Sequence, residues 1–330
     1  MRPCAIVSQV SARQLFRAAC CFGGNSLGDL LRIFADNIAP VFLVAAVGFI
    51  AGRWLEIDPK IVSRLVFYVF SPALVFRSLA TAGISLIELG QLILVMGLIY
   101  ACMAAIAYLI MRQQGKVDRA GIMLSAVSPN NGNLGLPVID FAFGPEVLAR
   151  AVVVFVAMTI LNNTVGVWIA SSGRSSPLDA LWKILRVPAA YAVAAGLLVR
   201  GLNVTLPLAF ERSVDILADA SIPTMLILLG LQLARFEHVE RLRLAGVGAA
   251  LRLLVAPVVA ALLVLLFRLS TQSSIAVLMQ ASMPVGVFTS IFASEFELDS
   301  QLSLSIILTS TIASPLTLSV LILLLRQVAG

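Results

Sequence analysis

The chain alternates between long apolar segments and short polar connections from about residue 33 to about residue 325. Each apolar segment is 19 to 26 residues long, and a helix needs about 20 residues to cross the hydrocarbon core of a bilayer. The pattern therefore predicts ten membrane-spanning helices, called spans one to ten. Their approximate bounds are 33–54, 60–80, 86–111, 120–144, 147–171, 181–199, 216–234, 244–269, 274–296 and 302–325.

Span four is interrupted between Ser128 and Pro137, where two prolines, two glycines and three asparagines occur within ten residues. An uninterrupted helix cannot form there, because proline lacks the N–H donor and glycine weakens a helix. Hydrocarbon offers no partner for the freed backbone groups, so such a break is tolerated only where protein covers it or a cavity borders it. A broken span is therefore a pointer to a transport site.

Span nine contains a matching break around Pro284 and Gly286, and the breaks belong to a longer pattern. Asn133 and Pro284 are 151 residues apart, as are Pro72 and Pro223. These offsets predict two inverted five-helix repeats, at residues 31–171 and 181–330, joined by a short cytoplasmic linker at residues 172–180. Residues 1–30 are expected to be a disordered extension or to follow a start codon assigned too early.

Composition agrees with an integral membrane protein. The chain is 60% hydrophobic and 12% charged, whereas soluble domains average about 45–50% and about 25%. The net charge of +6 comes from scattered basic residues, which excludes a nucleic-acid surface. A single histidine and cysteines without ligand spacing exclude a multi-histidine metal site, and no P-loop or H-E-x-x-H occurs. No enzyme activity, cofactor or metal is predicted.

Basic residues are concentrated in alternate connections, which predicts the orientation. Twelve lie after spans one, three, five and seven, whereas four lie after spans two, four, six and eight. The positive-inside rule places the first set in the cytoplasm and both termini outside.

Four motifs carry a family resemblance. They are Phe70–Phe76 in span two, Asn131–Pro137 in span four, Ala220–Gly230 in span seven and Ala281–Pro284 in span nine. With these motifs in this order, the chain resembles the auxin efflux carrier family, and the short linker places it near the compact bacterial permeases for malonate or malate.

The resemblance implies an all-α fold of ten helices in two inverted repeats, shared with sodium symporters of the bile-acid type. Spans four and nine are expected to cross at their broken centres, with the substrate nearby. A core of spans three to five and eight to ten is expected to move against a scaffold of the other four, which also suits a homodimer. A bacterial inner membrane is the implied location.

The candidate site residues are polar or small and lie at the breaks or in span five. The predicted substrate-binding residues are Asn130, Asn131, Asn133, Gly135, Asn162, Asn163, Gln280, Ser282 and Gly286. The residues predicted to shape the breaks are Gly132, Pro137 and Pro284. Asparagine both donates and accepts hydrogen bonds, so it suits a carboxylate, although it also caps broken helices and links packed helices.

Asp140 is the carboxylate nearest the span-four break, and an intramembrane acid is a candidate for proton or cation coupling. The alternative is an interfacial position where it is paired or hydrated. Asp215 and Asp219 share one helix face and are interpreted as residues at the start of span seven.

The sequence thus predicts a secondary transporter for small organic anions of the carboxylate class, working by elevator-type alternating access in the lipid bilayer. Protons or sodium are the candidate coupling ions. Two alternatives stay open: a sodium-coupled organic-anion symporter of the bile-acid carrier type, and a membrane sensor without net flux.

Overall fold

The structure is a computed structural model that describes residues 26–171, 187–236 and 238–329. These residues are helical except for connections and one isolated antiparallel bridge between Pro129 and Val285. The helices, numbered to follow the predicted spans, are α1 (Leu27–Trp54), α2 (Pro59–Thr81), α3 (Leu86–Met111), α4a (Lys116–Val127), α4b (Leu136–Phe143), α5 (Pro145–Ala170), α6 (Pro188–Gly201), α7 (Leu208–Leu233), α8 (Leu242–Phe267), α9a (Thr271–Ala281), α9b (Phe288–Glu295) and α10 (Ser300–Ala329).

Seven of these helices, α1, α2, α3, α5, α7, α8 and α10, are long and apolar enough to cross a membrane. The three other predicted spans correspond to α6, which has 14 residues, and to the two interrupted helices. Helix α1 begins before the predicted position, so the end of the expected N-terminal extension is helical. The rest of that extension and the predicted linker at 172–180 lie outside the described residues.

Some prolines that resemble helix breakers are accommodated inside continuous helices. A π-helical turn ends two residues before each of Pro40, Pro72 and Pro257. Before Pro72, for example, the N–H of Ser71 donates to the carbonyl of Val66, five residues earlier. The wider turn makes room for a ring that cannot donate and clashes with the carbonyl four residues back. Helices α1, α2 and α8 therefore continue through their prolines.

Two pairs of helices, α1 with α7 and α2 with α6, pack closely and contact each other through α2 and α7. We call these four helices the scaffold group. A Cβ on Gly230 of α7 would overlap the carbonyl oxygen of Ala45, and a Cβ on Gly48 of α1 would overlap that of Ile227. The missing side chains are what allow the two backbones to touch.

The other helices, α3, α4a, α4b, α5, α8, α9a, α9b and α10, form a second group, called the core group, which packs around the two interrupted helices. At one end of this group Arg241 bridges Asp118 of α4a and Asp299 before α10, at 2.6 and 2.7 Å. Partial burial raises the pKa of Asp299, but hydrogen bonds from the N–H of Leu302 and from Arg241 outweigh it and hold that pKa below its ordinary value. The bridge ties α4a to α10.

Candidate functional site

The breaks in the fourth and ninth spans lie side by side and pair through their backbones. The N–H of Asn130 donates to the carbonyl of Pro284 at 2.7 Å, and the N–H of Gly286 donates to the carbonyl of Ser128 at 2.8 Å. Each break therefore satisfies backbone groups that the other exposes, as the interior of a membrane requires. The prolines and glycines that mark the two breaks in the sequence thus meet in space.

The local sequence explains this close approach. Pro129 and Pro284 have no N–H, so neither leaves a donor without a partner at the junction. A Cβ on Gly286 would lie 3.0 Å from the carbonyl oxygen of Pro129, which is tighter than side chains normally allow. After the junction a π turn, Asn131–Gly135, leads into α4b, and Pro137 occupies the first turn of that helix as the sequence suggested.

A cavity of about 270 Å³ opens beside the crossing, between the two groups of helices. Its polar lining consists of Ser63, Ser71, Asn130, Asn131, Asn133, Thr159, Asn162, Asn163 and Gln232. Its apolar lining is rich in aromatic rings and methionine: Val66, Phe67, Phe155, Met158, Met225, Leu228, Val287, Phe288, Ile291 and Phe292. The remaining residues of the wall belong to the two breaks and are Pro129, Gly132 and Gly286. No charged side chain lines this cavity among the described residues.

Two asparagines in this wall have amide groups without a protein partner. Both the Nδ2 and the Oδ1 of Asn131 are buried and unpaired, and so is the Nδ2 of Asn130. These side chains are only 4% and 5% exposed. A buried polar group without a hydrogen bond costs about 1–3 kcal/mol. A ligand or a water in the cavity would satisfy these amides, and their role in substrate binding stays a prediction.

The other predicted asparagines line the same cavity but already have partners. The Nδ2 of Asn133 donates to the Oε1 of Gln232 on α7 at 3.2 Å. The Oδ1 of Asn162 accepts from the hydroxyl of Ser128 at 2.9 Å, which ties α5 to the break. The Nδ2 of Asn163 donates to the carbonyl of Thr159 in its own helix at 2.8 Å. Asn133 therefore links the core group to the scaffold group, and Asn162 links α5 to the break that follows α4a.

Gly132 and Gly286 also line the cavity, whereas Gly135, Gln280 and Ser282 do not. The Nε2 of Gln280 donates to the carbonyl of Ala151 at 3.1 Å, and a Cβ on Gly135 would lie 2.5 Å from the Oε1 of Gln280. The hydroxyl of Ser282 donates to the carbonyl of Leu278. These three residues lie in the packing of the crossing and not in the cavity wall, although the N–H of Gly135 donates to the carbonyl of Asn130 at 2.9 Å.

Asp140 lies on the other side of the crossing, in a second cavity of about 860 Å³. This cavity is lined by the end of α2 and the start of α7, whereas the first is lined by the start of α2 and the end of α7. Arg77 lies in it and pairs with Asp219 at 2.5 Å and with Asp215 at 3.8 Å. Asp215 and Asp219 therefore share one face of α7, and both pair with Arg77 of α2. Asp140 is not near the asparagine cluster.

Sequence reasoning missed Arg252, which is 1% exposed at the centre of α8. Its Nη1 donates to the carbonyl of Ala126 at 2.7 Å, its Nε to that of Met283 at 3.1 Å, and its Nη2 to that of Ala281. The available signal was an arginine in the middle of an apolar span, since ionisable residues at membrane depth are rare and functional.

A partly buried ion pair was also missed. Glu88 accepts from the Nε of Arg150 at 2.7 Å and from the hydroxyls of Ser273 at 2.5 Å and Ser270 at 3.1 Å. Glu88 lies in the first turn of α3, whereas Arg150 lies in the second turn of α5 and is buried. The pair joins α3, α5 and the start of α9a.

We expect Glu88→Leu to lower the thermal stability of the purified protein, because Arg150 would be left buried without its carboxylate. The loss should be about 1–3 kcal/mol, and the double variant Glu88→Leu with Arg150→Met should be more stable than Glu88→Leu alone. Thermal unfolding in detergent measures all three. Equal stability of the single and double variants would contradict the assigned pair.

Comparisons with known proteins identify the family of this chain. The family model described as "Membrane transport protein" matches residues 33–322. An uncharacterized transporter of Methanothermobacter thermautotrophicus is 30% identical over 86% of this chain and 95% of its own length. One from Methanocaldococcus jannaschii is 26% identical over 86% and 96%. YfdV of Escherichia coli K12, also an uncharacterized transporter, is 22% identical over 81% and 90%. The chain is thus an integral membrane protein that belongs to the auxin efflux carrier family of membrane transporters, and it is not an enzyme.

Proposed function

We propose that this transporter carries small organic anions, carboxylates such as malonate or malate, through the asparagine-lined cavity beside the crossing. The observation that carries the proposal is the buried amide of Asn131, which has donor and acceptor atoms in the cavity wall and no partner in the protein. A carboxylate accepts from such an amide donor, and a bound water or substrate hydroxyl would satisfy its acceptor.

The electrostatics favour an anion over a cation. No carboxylate lines the cavity in the described part of the chain, whereas the unpaired amide donors of Asn130 and Asn131 do. The second half of the interrupted fourth span begins at the crossing with the π turn Asn131–Gly135, and the positive end of its dipole favours negative charge there. The volume of about 270 Å³ lies near the lower end of ordinary ligand sites, which suits a small substrate.

The arrangement of the two cavities supports elevator-type alternating access. Both lie between the scaffold group and the core group, at opposite ends of α2 and α7, with the crossing between them. The helix contacts follow the proposed inverted repeat: α1 packs on α7 as α6 packs on α2, and α3 packs on α5 as α8 packs on α10. A core group that slides along the scaffold would expose the crossing first at one end and then at the other.

The same proposal includes a homodimer in a bacterial inner membrane, with both termini outside. The first cavity borders the connections rich in basic residues, so it would open to the cytoplasm.

The test is uptake of radiolabelled mono- and dicarboxylates into liposomes that contain the purified protein, together with thermal unfolding in the presence of each compound. A substrate at one hundred times its Kd should stabilise the folded protein by about 2.7 kcal/mol. Saturable uptake of one carboxylate, inhibited by its close analogues, is the expected result. Binding without flux would favour the sensor, and neither binding nor flux with any carboxylate would overturn the substrate class.

The elevator component has its own test at the contact between Asn133 and Gln232, which joins the two groups across 3.2 Å. In a background without the native cysteines, cysteines at both positions can be linked by a short bifunctional thiol reagent. Compared with the same double-cysteine variant before linking, the linked protein should show no flux, and release of the link should restore flux. Undiminished flux through the linked protein would contradict movement of the core group past α7.

A further inference from the structure

Arg252 lies where the first halves of both interrupted helices end. Helix α4a ends at Val127 and α9a ends at Ala281, and the guanidinium contacts carbonyl oxygens in the last turn of each, those of Ala126 and Ala281. A third carbonyl, that of Met283, comes from the break itself. The side chain therefore binds three carbonyl oxygens from two helix ends and one broken segment.

These carbonyls form the kind of site that a cation occupies in other transporters. The last carbonyls of a helix have no partner within it, and each helix end carries roughly −0.5 elementary charge. Two such ends add up to about one negative charge, which a single guanidinium neutralises. In broken-helix transporters, unwound carbonyls and the C-terminal ends of half-helices commonly coordinate the coupling sodium ion or proton.

The guanidinium has no other counter-charge. No ion pair links Arg252 to an aspartate or glutamate in the described residues, although the side chain is fully buried. A buried cation without compensation costs several kcal/mol, so the converging carbonyls are what hold the charge in place. A π turn, Leu251–Val255, contains Arg252, and such turns often occur at functional sites.

We propose that Arg252 is a built-in cation that permanently fills the site where a sodium-coupled carrier would bind its ion. The inference deepens the proposed function, because it assigns the coupling: substrate binding and flux need no sodium. It also implies that removing the side chain opens a cation site at the crossing, and this consequence holds whatever the substrate is.

The test is thermal unfolding of purified Arg252→Ala with guanidinium, sodium or choline chloride at millimolar concentration. The variant should unfold at a lower temperature than the parent. Guanidinium or sodium should restore at least half of that loss with a saturable dependence on concentration, whereas choline should not. The parent should respond to none of the three. Normal stability of the variant, or a loss that neither cation restores, would overturn the proposal.

Two further variants keep the proposal testable if Arg252→Ala does not fold. Arg252→Lys keeps the charge with fewer donors, and Arg252→Gln keeps donors without the charge. We expect the lysine variant to be the more stable and the less sensitive to added sodium. A glutamine variant at least as stable as the lysine variant would show that hydrogen bonding alone accounts for Arg252.

The transport readout separates this inference from the proposed substrate class. If carboxylate uptake is found, replacing sodium by potassium or choline should leave its rate unchanged, and a rate that depends on sodium would overturn the inference. If no carboxylate is transported, the proposed function fails while the cation rescue of Arg252→Ala still decides the role of this residue.

Discussion

Gly230→Ala is expected to cause the largest loss of folded protein among glycine-to-alanine changes in the described residues. The added Cβ would overlap the carbonyl oxygen of Ala45 and lie 2.5 Å from the backbone nitrogen of Phe49, so neither clash can be relieved by a side-chain rotation. Helices α1 and α7 would have to separate. Overpacking costs about 1–3 kcal/mol and occasionally more, and a backbone clash belongs at the upper end. The loss is measured as yield of monodisperse protein and as unfolding temperature in detergent.

Gly246→Ala is the matched control. Gly246 also lies inside a helix, α8, but a Cβ there meets nothing within 4 Å. Alanine favours a helix over glycine by about 0.5–1 kcal/mol, so this variant should be as stable as the parent or more so. Equal effects at the two positions would show that the tight contact between α1 and α7 is not required for the fold.

Asn131→Leu is expected to weaken ligand binding strongly while leaving the protein at least as stable as before. The amide of Asn131 has no partner in the protein, so its removal eliminates an unsatisfied buried group. The lost hydrogen bonds to a charged ligand are worth about 1.5–3 kcal/mol, so the Kd should rise about tenfold to a hundredfold. Thermal unfolding with increasing carboxylate measures both quantities on one sample.

Asn37→Leu should show the opposite pattern. Asn37 is 2% exposed, as buried as Asn131, but its Nδ2 donates to the carbonyl of Ile33 and its Oδ1 accepts from Arg326 at 2.9 Å. Its replacement should lower stability and leave the Kd unchanged, because it lies outside the cavity wall. An unchanged Kd in Asn131→Leu would remove this residue from the binding site.

The length and apolarity of the segments were sufficient to predict an all-helical membrane protein. A helix that crosses hydrocarbon satisfies its own backbone hydrogen bonds, so its position depends mainly on local composition. The two breaks were visible for the same local reason, because Pro129 and Pro284 cannot donate and nearby glycines weaken the helix. The motifs at these breaks also indicated the family, which the family model supports over residues 33–322.

Local reasoning alone did not show which prolines a helix accommodates, and it overlooked one arginine. Pro40 and Pro72 also lack an N–H, but they follow π turns that keep α1 and α2 continuous. A helix continues through a proline or is interrupted there, depending on which hydrogen-bond partners the neighbouring residues provide for the unpaired backbone groups. Arg252 was passed over because its three carbonyl partners lie 29 to 126 residues away in the chain.

The sequence by itself therefore determined the helices, the two breaks and the residue types at them, since these follow from local composition. Only the tertiary structure decided which side chains share a cavity. Helix rotation places Asn131 in the cavity wall and Gln280 in the packing behind it, while Asp140 lies across the crossing in the second cavity. These assignments depend on contacts between residues distant in sequence, and such contacts exist only once the helices have packed.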